Sequence, residues 1–248
     1  MFLLLLVLAL QSSQPIALKR VEVLRVSPGD MERLPPALRP IFVDPTPDAE
    51  PVDNLDAAAK RVGFTPRLPR SAKSPQFGIV DPVRAEVKIG VADLNQALRD
   101  AKAANVTVPQ NWDGITIAMQ QGQGILADFD DFIMVQAPPL TLTAPSGFPL
   151  DQFIEVVSRV VGLNAADARA LRQRFAASPS AFFPIPVRYD MDIHEVRLNS
   201  GTGVLLQNAD KIGELALEWS TADRTYFVTG LLTEAQIKIG RASCRERV

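Results

Sequence analysis

Hydrophobic and polar positions follow helical spacing in four segments of the chain. Residues 54–63 predict a short helix with Asn54 as N-cap and Gly63 as the stop. Residues 94–104 predict a second helix with Asp93 as its cap. A wide apolar stripe over 150–161, and the segment from Asn164 to Ala177 before Pro179, predict two more.

Alternating polar and apolar residues predict strands around these helices. Residues 114–120, 124–129 and 132–137 follow one another with short turns between them, which predicts a three-stranded meander. The remaining strands are predicted at 18–26, 85–91, 194–198, 204–207, 214–219 and 225–229. Antiparallel runs of strands with helices between them indicate an α+β fold, an antiparallel sheet of short strands covered on one face by helices.

The chain begins with an unbroken apolar run from Phe2 to Leu10 inside the segment 1–17. A run of this length fits the core of a signal peptide or the end of a truncated transmembrane helix, since a full span needs about 20 residues. The first basic pair, Lys19 and Arg20, follows the run instead of preceding it, which favours a truncated start. Either interpretation predicts that the rest of the chain lies outside the cytoplasm.

Segment 18–53 is predicted to be a strand or stalk followed by a linker. Seven prolines fall between residues 27 and 53, and each one fixes φ and removes a backbone donor. The expected organisation is therefore a leader at 1–17, a stalk and linker at 18–53, and one α+β domain at 54–238.

The last ten residues, 239–248, read like one frame of a sequencing adapter. This segment holds Cys244, the chain's single cysteine, so the preceding chain has no thiol for a disulfide or metal site. It also contributes a net charge of +2, so the net charge of −2 becomes −4 without it. A mildly acidic chain is poorly suited to nucleic acid.

One group of polar residues has a spacing that fits a metal site. Asp190, Asp192 and His194 occupy alternate positions of a predicted strand, so they share a face at intervals of about 6.6 Å. Two carboxylates and an imidazole could hold a divalent cation. The alternative is that these charges, followed by Glu195, keep an edge strand soluble and unpaired.

Other motifs favour structural interpretations. Gly122 to Ala127 loosely matches a dinucleotide fingerprint, but the segment after it is predicted to be a strand instead of the required helix. No G-x-S-x-G motif is present, and His194 is the only histidine. The helix pair at 150–161 and 164–177 has the order of a helix-turn-helix, but its arginines are expected to form a solvated face because the chain lacks a basic footprint.

Four apolar residues are candidates for a ligand groove: Phe153 and Val157 on the long predicted helix, and Phe182 and Phe183 between Pro179 and Pro184. The same residues would also serve as ordinary core side chains.

Three segments resemble a bacterial family of unknown-function domains that form the extracytoplasmic part of anti-sigma-factor-like membrane proteins. They are residues 55–64 with Leu68 and Pro69; Pro138 and Pro139 with the segment 145–149 before the long helix; and 214–219 with 226–230 and 233–236. The last set, with Trp219 on one strand and Tyr226 on the next before a final helix starting at 233–237, is the most specific. The resemblance covers about 54–237 and supplies no catalytic residues.

The resemblance implies a membrane-tethered bacterial module that senses envelope conditions. We therefore expect a non-enzymatic extracytoplasmic sensor or interaction domain, with no cofactor, an unidentified protein or envelope partner, contact with the membrane through its N-terminal segment, and no nucleic acid. The alternatives are a periplasmic carrier for a lipid or other apolar ligand, which a continuous cavity beside Phe153 and Val157 would favour, and a metal-dependent hydrolase around His194.

Overall fold

The computed structural model describes residues 15–18, 20–32, 34–35, 48–69, 74–186, 191–198, 201–208 and 214–232. The helices in these ranges are α1 (Pro28–Glu32), α2 (Leu55–Val62), α3 (Val91–Asp100), α4 (Leu150–Val160) and α5 (Ala165–Ala177). The strands are β1 (Ile16–Ala17), β2 (Arg20–Val26), β3 (Ala49–Val52), β4 (Gln76–Val80), β5 (Val83–Lys88), β6 (Thr116–Gln121), β7 (Gly124–Asp128), β8 (Phe132–Ala137), β9 (Thr141–Thr143), β10 (Ser180–Pro186), β11 (Met191–Leu198), β12 (Gly201–Asn208), β13 (Glu214–Ser220) and β14 (Thr225–Leu231).

Eight strands form a large antiparallel sheet in the order β11-β12-β13-β14-β8-β7-β4-β3. Alternate residues of its central strands build one apolar core, in which Leu205, Leu217 and Met134 are almost fully buried. Near the β3 end, α2 packs on the sheet through Ala58 against Ile79 and Ile125. Each strand thus contributes one set of alternating side chains to the core, as the pleat requires.

Four strands form a second antiparallel sheet in the order β1-β9-β6-β5. Its inner face, with Val87 and Ile117, shares a core with α3 and α4. Its other face carries the exposed residues Arg84, Glu86 and Lys88. This sheet is therefore covered on one face by helices, and the predicted α+β class is confirmed.

A parallel pair, β2 and β10, lies between the two sheets. Val26 and Leu24 of β2 pack into the core of α3 and α4, and β2 also lies against β12 and β13 of the large sheet. Of the two alternatives predicted for this segment, a strand or a stalk, the structure has the strand, and it is packed within the domain.

Two helix caps agree with the sequence prediction. The Asn54 side chain accepts a hydrogen bond from the Ala57 N–H, and Gly63 ends α2 in the left-handed region at φ 80°. The Asn164 side chain accepts from the N–H groups of Ala166 and Asp167 at the start of α5. Each side chain satisfies backbone donors that the first helical turn leaves without partners.

The N-cap of α2 gives a first testable prediction. Asn54→Ala is expected to lower the free energy of unfolding by about 1 kcal/mol, because the Ala57 N–H loses its acceptor. Thermal and urea unfolding measure this change. Asn54→Asp, which retains a capping oxygen, should remain close to wild type, and an equal loss in both variants would show that the cap is not the cause.

The predicted meander is wrong. Strand β6 pairs with β5 and β9 in the small sheet, whereas β7 and β8 pair in the large one. The chain changes sheets at Gly122, where an added Cβ would lie 3.1 Å from Pro138. Local alternation predicted the strands but not their partners, because pairing depends on β9, which lies beyond the meander in the sequence.

The predicted cap of α3 is also wrong. Asp93 lies inside the helix, which begins at Val91 with Gly90 as N-cap and no side-chain cap bond. Instead, Asp113 accepts a hydrogen bond of 2.9 Å from the Val91 N–H. Asp113, 22 residues after Val91 in the sequence, thus provides the capping acceptor that the local pattern assigned to Asp93.

The proline-rich segment 27–53 contains two elements that the linker prediction excluded. Pro28 is the first residue of α1, where its missing N–H costs nothing. Pro51 lies in β3 at the edge of the large sheet, the position in a sheet that tolerates proline. Strands β4, β9 and β10 also had no counterpart in the prediction.

The last residues of the predicted leader, Ile16 and Ala17, pair with β9. Residues 1–14, the predicted final helix from 233 and the predicted adapter segment 239–248 lie outside the described residues. Among the described residues, no helix has both the length and the apolar character needed to cross a bilayer.

Candidate interaction site

A polar network on the large sheet is centred on Arg67, in the segment between α2 and β4. Its guanidinium donates 2.8 Å and 3.2 Å hydrogen bonds to the Tyr226 hydroxyl and to Asp223 Oδ2. Its backbone N–H and C=O pair with the Gln136 side-chain amide at 2.8 Å and 2.9 Å. We call Arg67, Gln136, Asp223, Arg224 and Tyr226 the Arg67 cluster.

Strand register places Gln136 and Tyr226 of the cluster in one row of the sheet with Trp219. Gln136 of β8 lies opposite Tyr226 of β14, and Tyr226 lies opposite Trp219 of β13. Directly opposed residues share a face, and the Trp219 and Tyr226 rings are stacked with centroids 4.7 Å apart and planes at 5°. Both aromatic residues are buried, so the stack forms a rigid base under the polar groups.

Gln136 is 1% exposed and is one of few polar residues buried among the described ones. A buried amide is costly unless its donor and acceptor are both paired. Here the backbone of Arg67 pairs both. The segment around Arg67 is therefore attached to the sheet by its backbone as well as by its side chain.

The turn between β13 and β14 supplies the exposed side of the cluster. The Thr221 hydroxyl donates to Asp223 Oδ1 at 2.8 Å, and Arg224 Nη1 lies 3.7 Å from Asp223 Oδ2. The Arg224 guanidinium also lies 4.0 Å above the Phe64 ring, a cation–π distance. The turn is thus joined to the end of α2.

These contacts shift two pKa values. The Thr221 hydrogen bond, with smaller contributions from the charges of Arg67 and Arg224, lowers the pKa of Asp223 below its usual value. Burial raises the pKa of Tyr226, and the Arg67 charge partly opposes that shift. At neutral pH the cluster therefore combines two guanidinium cations with one carboxylate and a neutral phenol.

The charged groups of the cluster are held in place and still reach solvent. The side chains of Arg67, Asp223 and Arg224 are 30%, 47% and 21% exposed. Their geometry is set by hydrogen bonds before any partner arrives, which reduces the entropy cost of polar recognition. Chemically, the arrangement can bind polar or anionic groups.

Of the predicted metal ligands, Asp192 and His194 lie on β11 with His194 Nδ1 3.5 Å from Asp192 Oδ2. Their side chains are 65% and 39% exposed. Asp190 lies outside the described residues. Within the described part of the chain, no three His, Cys, Asp or Glu side chains are grouped closely enough to hold a metal ion.

Phe153, one of the four residues predicted to line a ligand groove, belongs to the core that the small sheet shares with α3 and α4. Phe153 is buried, with its ring centroid 6.2 Å from that of Trp112 and 5.9 Å from that of Phe148. Val157 is partly buried against the same core. Phe182 and Phe183 belong to β10, and their side chains lie outside the description.

Two motifs weighed in the sequence have structural roles. The segment after Gly122 is strand β7, as predicted, and not a helix. On α5, Arg172 binds Asp151 and Glu155 of α4 at 2.7 Å and 3.1 Å, and Arg174 lies 3.2 Å from Glu22 of β2. Arg172 therefore joins two helices, whereas Arg174 is 56% exposed and Arg169 is exposed, as the prediction of a solvated face expects.

Glu218 is a half-buried carboxyl of β13, opposite Val204 and Phe227 in the neighbouring strands. Burial removes part of its contact with water, and this desolvation raises its pKa from 4.5 to about 7. The folded state therefore holds the proton more tightly than the unfolded state does. Its contribution to stability is fully present below pH 4.5 and is lost as the pH rises to about 7.

Glu218→Gln should accordingly flatten the pH dependence of stability. Because the residue is partly exposed, we expect the variant to gain about 2 kcal/mol over wild type between pH 4 and pH 8. Urea unfolding at both pH values measures the gain. Glu195→Gln, an exposed position of β11, is the control, and an equal gain there would assign the effect to net charge.

Comparisons of the chain with protein-family models, with curated proteins and with solved structures gave no match. The fold and the site define an α+β domain with a polar cluster on its large sheet.

Sequence reasoning missed Arg67 and Gln136. Arg67 lies in a basic, proline-containing segment of the sequence, residues 65–75, where nothing local distinguishes it from the other basic residues. Gln136 carried a signal, since it is the one amide in the otherwise apolar strand Phe132–Ala137. Trp219 and Tyr226 were noted through the family resemblance, without their contacts.

Proposed function

We propose that this chain is a non-enzymatic recognition domain on the outer side of a bacterial membrane, of the anti-sigma-factor-like type that its sequence resembles. The observation that carries the recognition role is the Arg67 cluster. Its arginines and aspartate are partly exposed and fixed on a stacked Trp–Tyr pair. Arg is among the residues that most often dominate protein interfaces.

The external location is supported by the apolar run Phe2–Leu10. The membrane-tethered, sensing role is supported by the resemblance, whose most specific segments correspond to β13 and β14. The partner or signal would be an envelope component that presents polar or anionic groups to the cluster.

The recognition domain is favoured over the two alternatives by specific contacts. Phe153 is packed against Trp112 and Phe148, so protein atoms occupy this part of the groove that a carrier would use. Among the described residues, Asp192 and His194 lie on a solvent-exposed part of β11, and no third His, Cys, Asp or Glu is grouped with them as a metal site requires. His194→Ala with unchanged metal content and stability would remove the hydrolase.

The location is tested with a reporter enzyme fused to the C-terminus that is active only after export. We expect activity from the full chain and its loss on deletion of residues 2–14, which leaves β1 intact. Reporter activity that is independent of this deletion would contradict the role of the leader.

Recognition is tested by photo-crosslinking in intact cells. A photoreactive residue at Ala222, exposed on the turn of the cluster, should give a discrete adduct that Arg224→Glu weakens. The same residue at Gln96, exposed on α3, is the control. Equal adducts from both positions, or none from Ala222, would contradict a recognition role for this surface.

A further inference from the structure

Strand β5 is the last strand at one end of the small sheet. It pairs with β6 on one side, and no described strand pairs with it on the other. An open strand edge is a template for pairing with another chain. The backbone groups and side chains at this edge therefore determine what kind of strand can pair with it.

Hydrogen bonding shows which backbone groups face outward. The Ile89 N–H donates to the Ile115 carbonyl oxygen at 2.8 Å, in register with the β5–β6 ladder. Bonded pairs alternate in an antiparallel ladder, so Val83, Ala85 and Val87 direct their N–H and C=O groups to β6. The same groups of Arg84, Glu86 and Lys88 point away from the sheet.

The side chains of these three residues alternate in charge along the open edge. Arg84 and Glu86 are 67% and 53% exposed, and their charged atoms approach to 2.8 Å within the strand. An edge protected by charges of one sign repels a second copy of itself. The alternating signs of β5 are instead self-complementary.

We propose that two copies of this chain pair through β5, antiparallel, about a two-fold axis between the two Ala85 residues. Arg84 of each copy then lies opposite Glu86 of the other, as a hydrogen-bonded pair. Val83 lies opposite Val87, a residue of the apolar face that the helices cover. The two small sheets become one sheet of eight strands.

Charge and strand length select this register. Pairing Glu86 with Glu86, or Arg84 with Arg84, places like charges opposite each other, which is destabilising. Pairing Glu86 with Lys88 is compatible in charge, but it centres the contact on Val87, three residues before Gly90, where the chain leaves the strand to begin α3. Only the register centred on Ala85 pairs Arg84 of one copy with Glu86 of the other and keeps the contact within residues 83–87.

The inference goes beyond the proposed function, because dimerisation does not depend on what the Arg67 cluster binds. Sedimentation velocity of the full chain over a concentration series tests it. We expect a monomer–dimer equilibrium for wild type. Arg84→Glu and Glu86→Arg should each weaken the dimer about tenfold, since two symmetric ion pairs become repulsions, and the double variant should restore it.

A chain that stays monomeric, or a dimer that neither single variant weakens, would overturn the proposal. A dimer sensitive to Glu86→Arg alone would place Glu86 against Lys88 and overturn the proposed axis. Both positions are exposed, so circular dichroism should confirm that the variants fold like wild type.

A second measurement is independent of charge. In a Cys244→Ser background, Ala85→Cys should form a disulfide-linked dimer on mild oxidation, because non-hydrogen-bonded antiparallel partners have Cα atoms about 4.5 Å apart. Lys88→Cys is the control, since its two copies would be well separated. Crosslinking at residue 88 without crosslinking at 85 would overturn the register.

Discussion

Trp219→Ala is expected to lower the free energy of unfolding by about 3–5 kcal/mol, the range for removing a large buried aromatic side chain. Trp219 is 8% exposed, and its ring stacks on Tyr226, so the truncation leaves a cavity beneath the Arg67 cluster. Urea unfolding followed by circular dichroism measures the loss.

Tyr226→Phe is the matched control for the stack. It keeps the aromatic ring and removes only the hydroxyl that accepts from Arg67 at 2.8 Å, so a loss of about 1 kcal/mol is expected. If Trp219→Ala cost no more than Tyr226→Phe, the stack would not support the sheet.

Gln136→Leu is expected to lower the free energy of unfolding by about 3 kcal/mol, because the backbone N–H and C=O of Arg67 both lose their partners. It should also release the segment around Arg67. Limited trypsin digestion should then cut after Arg67 faster in the variant than in wild type, in addition to the loss seen by urea unfolding.

Gln120→Leu makes the same chemical change at an exposed position of β6 and should leave stability and cleavage nearly unchanged. Stability loss in Gln136→Leu without faster cleavage after Arg67 would show that Gln136 matters to the core but does not hold the segment. Urea unfolding therefore reports on the packing of the core, and trypsin cleavage reports on whether the segment around Arg67 stays attached to the sheet.

The two large predictions concern one physical unit. Trp219 and Tyr226 provide the apolar base, and Gln136 and Arg67 join a segment between α2 and β4 to that base. At the exposed edge, Asp223 accepts a hydrogen bond from Arg67, and Arg224 lies close to Asp223. Damage to the base should therefore weaken recognition at the surface as well as stability.

Local chemistry in the sequence determined several elements directly. Asn54 and Gly63 mark the two ends of α2, and Asn164 marks the start of α5. The alternation at 214–219 and 225–229 predicted β13 and β14. These features depend on neighbours within a few residues, because caps and periodicity are properties of one element. The α+β class followed from their order.

Only the tertiary structure decided which elements meet. It placed β6 in a different sheet from β7, gave the cap of α3 to Asp113, and paired β2 with β10 across about 160 residues. It also brought Arg67 to Tyr226, residues 159 positions apart. Such contacts join side chains that no local periodicity relates, since register and long-range pairing are fixed by the burial of whole faces and not by the segments themselves.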